Sequence, residues 1–256
     1  MVQISDLTAK FSHQGFVVVP KFASLDTLTA LQSIAAEHLG DTIAPVEYEV
    51  DVQYPGAPKP GGLTGRDTVR RLLQAYARHH VFRDWAQQAR ARAVLAALLE
   101  TPDVMLSQCH HNCVMTKQPG YSSATLWHRD NRYWQFEQAN LVSFWLAVTD
   151  ETRRNGCLRV IPQSHRWELS ADRYDEAKFL RSNLAENKAL LSQSQIVELR
   201  AGDAVFFHSQ LFHAAGRNLT DQTKLSLVFT YHAADNRAIE GTRSARFPSI
   251  LIGNRS

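Results

Sequence analysis

The apolar positions of the chain change period partway along it. Near the N-terminus, Gly15 to Phe22 (GFVVVPKF) is a β-branched run closed by a proline, which predicts a short strand. Ser24 then opens a helical pattern with Leu25, Leu28, Leu31, Ile34 and Ala35 on one face. Residues 44–64, which include YPGAPKPGG, are rich in Pro and Gly and predict a loop either near the surface or over a site, where it would be a lid. A second amphipathic helix is expected from about Val81 to Glu100, covering its neighbours with Phe82, Trp85, Ala89, Ala93, Leu95 and Leu99.

From Val104 the period becomes that of strands. Short apolar runs at 104–109, 112–117, 141–148, 157–161, 196–200, 203–208 and 224–232 are divided by turns such as Arg154-Asn155-Gly156 and Ala201-Gly202-Asp203. Only 166–195 interrupts them, with a helix expected around 174–182. This pattern predicts a mainly β protein with N-terminal helices, a sandwich or barrel braced from one side. Residues 1–256 read as a single domain, with 1–103 as helical support and lid loop and 104–256 as the β core.

Composition narrows the function classes. With 28 basic against 25 acidic residues, the net charge of +3 is spread along the chain, so no nucleic-acid footprint is expected. Cys109, Cys113 and Cys157 show no CxxC spacing and predict free thiols in a reducing cytoplasm. The start Met1-Val2-Gln3-Ile4-Ser5-Asp6 has no signal-peptide pattern, and no run approaches the ~18 apolar residues of an integral membrane segment. The expectation is a soluble cytoplasmic protein, monomer or small homo-oligomer, with a small-molecule substrate.

The chemistry begins at Trp127-His128-Arg129-Asp130, where an imidazole and a carboxylate two positions apart share one face of an extended chain. Given 11 His and 25 acidic residues in 256 positions, about one such pair arises by chance. A third donor strengthens it. The segment from Gly202 to His208 reads as a turn and a buried strand, and His213 follows, ahead of a Gly216-Arg217-Asn218 turn, where the mouth of a barrel would lie. Two imidazoles and one carboxylate on one side of a metal, with other positions open, is the facial triad of non-haem iron(II) oxygenases. On the strand ending at Lys117, alternation turns His111, Cys113 and Met115 to the barrel interior as pocket-lining candidates.

These segments, with Phe144 to Asp150 (FWLAVTD), Asn155 to His165 (NGCLRVIPQSH) and Gly202 to Asn218, resemble the phytanoyl-CoA dioxygenase family, which includes ectoine hydroxylase. The resemblance implies a double-stranded β-helix (jelly roll, cupin-like) with Fe(II) on His128, Asp130 and His213, and with 2-oxoglutarate and O₂ as cosubstrates. It implies a cation for the far carboxylate of 2-oxoglutarate, and Lys224, 11 positions after His213, stands where the family has arginine. Lysine keeps the charge but not the bidentate fork. Arg217 is the competitor for this role. Ala215 replaces a frequent family serine, which removes one hydrogen bond, and Trp145 matches a family tryptophan near the cosubstrate. His165 falls in a turn that is structural in the family. His208 precedes the turn instead of following it, and Asp130 fills the position that related halogenases leave small.

Polar residues surround the motif, with Arg129, Asn131, Arg132, Tyr133, Trp134 and Gln135 after it and Gln108, Asn112 and Lys117 on the strand before. That lining suits a polar, anionic metabolite such as a sugar acid, with Arg132 and Trp134 as substrate contacts. The expected function is hydroxylation by a 2-oxoglutarate-dependent dioxygenase. The alternatives are a cupin-like metalloenzyme of another reaction type and a family member that binds ligand without catalysis.

Overall fold

The computed structural model describes residues 3–52 and 54–253. Its helices are α1 (Ile4–Gln14), α2 (Leu25–Gly40), α3 (Glu49–Val52), α4 (Ala75–Arg78), α5 (His80–Gln87), α6 (Ala89–Leu98) and α7 (Ala185–Leu191). Its strands are β1 (Phe16–Val19), β2 (Val46–Tyr48), β3 (Val69–Leu73), β4 (Val104–Lys117), β5 (Thr125–His128), β6 (Leu141–Ala147), β7 (Leu158–Val160), β8 (Gln195–Val197), β9 (Ala204–His208), β10 (His213–Ala215), β11 (Lys224–Ala233) and β12 (Ile250–Leu251).

Local chemistry sets the first elements. Gly15 ends α1 with φ at 81°, its N–H donating to the Phe11 carbonyl, and so turns the chain into β1. The Ser24 hydroxyl accepts from the Thr27 N–H and starts α2, as the sequence predicts.

The strands pair antiparallel in two sheets. The larger runs β1-β9-β6-β11-β4-β3-β2, with β12 added beside β4, and the smaller runs β5-β10-β7-β8. Together they make a double-stranded β-helix, a jelly roll. In β6 every residue is buried, because alternate side chains serve opposite faces. Val142, Phe144 and Leu146 pack outward with the helices, whereas Trp145 and Ala147 point inward with Val205, Phe207 and Val228 to meet Leu158, Val160 and Val197 of the smaller sheet. Phe144 lies between Phe206 (centroids 4.7 Å apart) and Trp85 of α5 (5.3 Å). A fully buried phenylalanine contributes roughly 2–3 kcal/mol, so this stack fastens helices to sheet.

Four sequence expectations are corrected. The helix expected over 81–100 is two helices, broken at Gln88 (ψ 140°), so that Trp85 stacks on Phe144 while Ala91, Val94, Leu95 and Leu98 bury the next face. No helix forms at 174–182. There Asp175 accepts from the Phe179 N–H and Tyr174 bridges Leu180, a tight turn that buries Phe179, and the helix lies further on at 185–191. Besides the expected strand β1, residues 1–103 give the larger sheet two strands that were not expected, β2 and β3, so that part of the 44–64 segment is strand β2 and helix α3. Finally, the two runs 104–109 and 112–117 are one strand, β4. Against β11, Asn112 pairs with Phe229 and Ser107 with Thr230, so Gln108, Cys109, His110 and His111 bulge out of the ladder.

Candidate metal centre and its cavities

His128 ends β5 and His213 begins β10, and the two are direct cross-strand partners in the smaller sheet. This refines the expected geometry, since His213 starts a strand after the turn at 209–212 instead of leaving the end of one. Asp130 opens a 3₁₀ turn, yet Arg129 between it and His128 stays extended (φ −107°, ψ 137°), which keeps both side chains on one side. One ligand atom from each of His128, Asp130 and His213 lies within 4.8 Å of the others.

All three are buried, and their hydrogen bonds leave the inward atoms free. The Nδ1–H of His128 donates to the Leu126 carbonyl (2.8 Å) and that of His213 to the Leu211 carbonyl (3.0 Å), a tautomer that aims each Nε2 lone pair at the centre. Those Nε2 atoms lie 3.5 and 3.4 Å from Asp130 Oδ1. Oδ1 itself is buried without a hydrogen-bond partner among the described residues. An orphaned carboxylate oxygen facing two imidazole lone pairs fits a divalent metal ion. Burial drives the His128 imidazole down to about 4, so it is neutral and ready to coordinate. Burial pushes the Asp130 carboxyl up, but the imidazoles of His111 and His213 outweigh it and hold the group well below the usual carboxylate range.

The β4 bulge supplies the wall behind this centre. It brings His111 Nδ1 to 3.2 Å from Asp130 Oδ2, while Ser143 Oγ donates to the same oxygen at 3.4 Å. Burial holds the His111 imidazole at about 3 and raises the Cys113 thiol to about 11, so both are uncharged. Both residues line a cavity of about 330 Å³ that also touches Tyr54, Arg71, Gln108 and Tyr133. Tyr133 in turn packs edge-on against His128, at 5.9 Å between centroids.

A second, narrow pocket of about 40 Å³ lies among Lys224, Trp145, Ala215, Met115, Lys117 and Arg70. That space suits the end of a small molecule, not the whole of one. Lys224 is fully buried, and the anion its burial demands is present within the chain, because Nζ lies 3.1 Å from Glu151 Oε2 and 3.1 Å from Ser226 Oγ. Trp145 donates to the other Glu151 oxygen at 2.8 Å. Arg217 stays outside this network and donates to the carbonyls of Ser122 and Gly120.

The remaining candidates lie apart. Arg132 stacks over Phe179, its Cζ 3.8 Å from the ring centroid, and Trp134 packs with Cys109, Phe136 and Leu141; neither lines the 330 Å³ cavity. His165 reaches the Ser12 carbonyl at 3.2 Å, and His208 packs against His165 and Phe11, both away from the triad. Sequence reasoning missed Arg70 and Arg71 on β3, and it set Lys117 among the polar residues around the motif without placing it in the narrow pocket beside Lys224. That place was legible, since alternation from His111 through Cys113 and Met115 reaches Lys117 next.

A jelly roll that carries two histidines and a carboxylate on adjoining elements, opening on a cavity, defines the class of double-stranded β-helix proteins that hold one metal ion in a facial triad. The family profile of phytanoyl-CoA dioxygenase (PhyH) matches residues 11–226, and the chain belongs to that family. It is 24% identical over 246 residues to an ectoine dioxygenase of Sphingopyxis alaskensis, covering 90% of this chain and 76% of that protein. It is 28% identical over 156 residues to the human peroxisomal phytanoyl-CoA dioxygenase, covering 56% of this chain and 45% of that one. The chain thus spans less than half of the human relative. Among solved structures, EctD from S. alaskensis with 2-oxoglutarate and 5-hydroxyectoine superposes with a TM-score of 0.76 at 21% identity, covering 93% of this chain and 78% of the other. The epimerase SnoN from nogalamycin biosynthesis, in complex with Fe³⁺, α-ketoglutarate and nogalamycin RO, gives 0.73 at 20% identity, covering 93% and 91%. Among the described residues no helix is long and apolar enough to cross a membrane.

Proposed function

We propose that the chain is an Fe(II)- and 2-oxoglutarate-dependent dioxygenase that hydroxylates a small or medium-sized, polar and anionic metabolite. The observation that carries this reading is the triad: His128, Asp130 and His213 converge their free donor atoms, and one of these is a buried carboxylate oxygen with no hydrogen-bond partner among the described residues. Membership of the phytanoyl-CoA dioxygenase family supports it, and so does the likeness to EctD and SnoN, whose structures hold 2-oxoglutarate.

The three side chains would hold the ferrous ion, which when bound supplies O₂ activation coupled to decarboxylation of 2-oxoglutarate to succinate. The chain's own residues position the reactants. His111 and Ser143 fix Asp130 from behind, and the backbone carbonyls of Leu126 and Leu211 fix the two imidazoles. Lys224 uses two of its three donors on Glu151 and Ser226 and offers the third to the far carboxylate of the cosubstrate, beside Trp145. His111 and Cys113 wall the cavity on the metal side, whereas Arg132, over Phe179, and Trp134, in an apolar cluster, stand outside it and are set aside as substrate contacts. We read residues 1–256 as one catalytic domain acting in the cytoplasm on a diffusible metabolite, of which a sugar acid is one form.

The test is succinate release from 2-oxoglutarate under air. Succinate formed with Fe(II), and lost in His213→Ala, is the expected result. No succinate above the His213→Ala background, from protein shown to bind iron, would overturn the reading.

A further inference from the structure

Arg129 stands between two of the three triad residues, yet its side chain borders neither the 330 Å³ cavity nor the narrow pocket. The extended backbone at this position sends His128 and Asp130 to one side and Arg129 to the other. There its half-buried guanidinium reaches the turn after β7. Nη2 donates to the carbonyls of Ser164 (2.9 Å) and Trp167 (2.5 Å), and Cζ lies 4.3 Å from the centroid of the Phe212 ring. Burial lowers its affinity for a proton, and no carboxylate among the described residues offsets that cost.

These contacts close a ring through both segments that carry the metal ligands. Ser164 Oγ accepts the Phe212 N–H at 2.9 Å, and Phe212 directly precedes His213. The Phe212 carbonyl accepts the Ile161 N–H at 2.9 Å, and on the motif side the Asn131 N–H donates to the Ser209 carbonyl at 3.0 Å. Ser164 and Phe212 are fully buried. Asp130 depends on this ring more than the imidazoles do. His128 and His213 are partners in the ladder of the smaller sheet, whereas Asp130 lies past the end of β5 in a 3₁₀ turn, outside that ladder. Desolvating a guanidinium for two carbonyl bonds adds little to stability, and an apolar side chain of similar length would fill the same space. Such a side chain could not fix the path of 128–130 relative to 212–213.

Resting on the reading of the triad as a metal centre, we propose that Arg129 is a positioning residue, which sets His128 and Asp130 against His213 by binding the Ser164 turn and the Phe212 ring together. Groups that orient metal ligands from behind commonly account for about ten- to a hundredfold in metal affinity.

The test uses Co(II), whose visible absorption bands report the geometry of its ligands and which needs no turnover. In Arg129→Met the dissociation constant for Co(II) should rise by about tenfold or more, and the bands at saturating Co(II) should change shape. The urea midpoint of the metal-free variant should stay close to that of wild type. Arg129→Lys keeps the charge but reaches one carbonyl only, so its affinity should lie between the two. Ser164→Ala frees the Phe212 N–H and should also weaken Co(II) binding. In Arg129→Met/Ser164→Ala the loss should fall short of the product of the single losses, since both changes cut one ring. Arg129→Lys and Ser164→Ala serve alone if Arg129→Met does not fold. Co(II) affinity and bands equal to wild type in the Arg129 variants overturn the proposal. So does a loss of affinity matched by an equal loss of stability with the bands unchanged, because Arg129 is then only part of the packing. Failure of the triad reading is recognised separately. Co(II) binding that His213→Ala leaves untouched overturns that reading and this proposal with it, whereas a strong loss in His213→Ala beside wild-type behaviour in Arg129→Met overturns this proposal alone.

Discussion

The ammonium of Lys224 and the carboxylate of Glu151 form an ion pair of 3.1 Å with both side chains almost wholly buried. Removing one partner of such a pair leaves an uncompensated charge in the interior, which costs on the order of 3–5 kcal/mol. Lys224→Ala is therefore expected to lower stability as well as cosubstrate affinity. The double variant Lys224→Met/Glu151→Gln removes both charges and should recover most of the stability. In that folded double variant the apparent KM for 2-oxoglutarate should rise by about tenfold or more, since a charge-assisted hydrogen bond contributes roughly 1.5–3 kcal/mol. Urea unfolding and steady-state kinetics on both variants check this. An unchanged KM in the double variant would remove Lys224 from the cosubstrate site.

The same pair shows how far sequence carries. A buried lysine on β11 was legible from its apolar neighbours, and so was its need for an anion, but Glu151 sits 73 positions away in a turn after β6 and only the fold brings it near. The triad was legible because two of its members lie in one short motif and the third follows a strong strand-and-turn pattern. Arg70 and Arg71 were not legible, since Val69-Arg70-Arg71-Leu72-Leu73 lacks clean alternation and reads as no element, yet pairing with β4 makes it a strand. The bulge at Gln108–His111 left no signal either, as a four-residue excess exists only relative to β11. At 174–182 a helical pattern lost to a tertiary contact, the packing of Phe179 against Tyr54 and His128 at 5.4 and 5.7 Å.

His128→Ala, Asp130→Ala and His213→Ala should each abolish iron-supported turnover and lower bound iron measured by elemental analysis. The melting temperature of the metal-free protein should move little, because these side chains face one another and the cavity and lie outside the apolar clusters. Loss of turnover with iron content unchanged would reassign the ligand concerned. His165→Ala, remote from the centre, should keep both iron and activity.

Gly156 occupies a left-handed conformation (φ 81°) at the end of the 3₁₀ turn before β7, and a Cβ built there would lie 2.4 Å from the Gly216 carbonyl oxygen. Gly156→Ala must strain the backbone and also push β7 from β10, whose His213 pairs with Val160 of β7. Strain of this kind costs about 1–3 kcal/mol. A drop of that size in urea unfolding is expected, together with weaker iron binding through the displaced His213. Stability equal to wild type would mean that the turn can relax without moving β10.

Lys117 should give the fold a pH signature of its own. Its Nζ is buried, donates to the Ser123 carbonyl at 2.7 Å, and lies on the strand position paired with Lys224. Burial, and then the charge of Lys224, pushes the ammonium down from 10.5 to about 7. Below pH 7 the lysine is protonated in both the folded and the unfolded chain, and the cost of burying its charge is present in full. Between about 7 and 10.5 the unfolded chain holds a proton that the folded one has released. Stability therefore gains a contribution that rises with pH across that window. Lys117→Met has no such proton to release, so the stability of wild type minus that of the variant should increase from pH 7 to pH 9 and level off on the acid side of this range. Urea unfolding of the ligand-free proteins at pH 6, 7, 8 and 9 measures the difference, with the choice of pH values set by the expected midpoint near 7. A flat difference would mean that Lys117 remains charged in the fold, held by the carboxylates of Glu49 and Glu151 in spite of its burial.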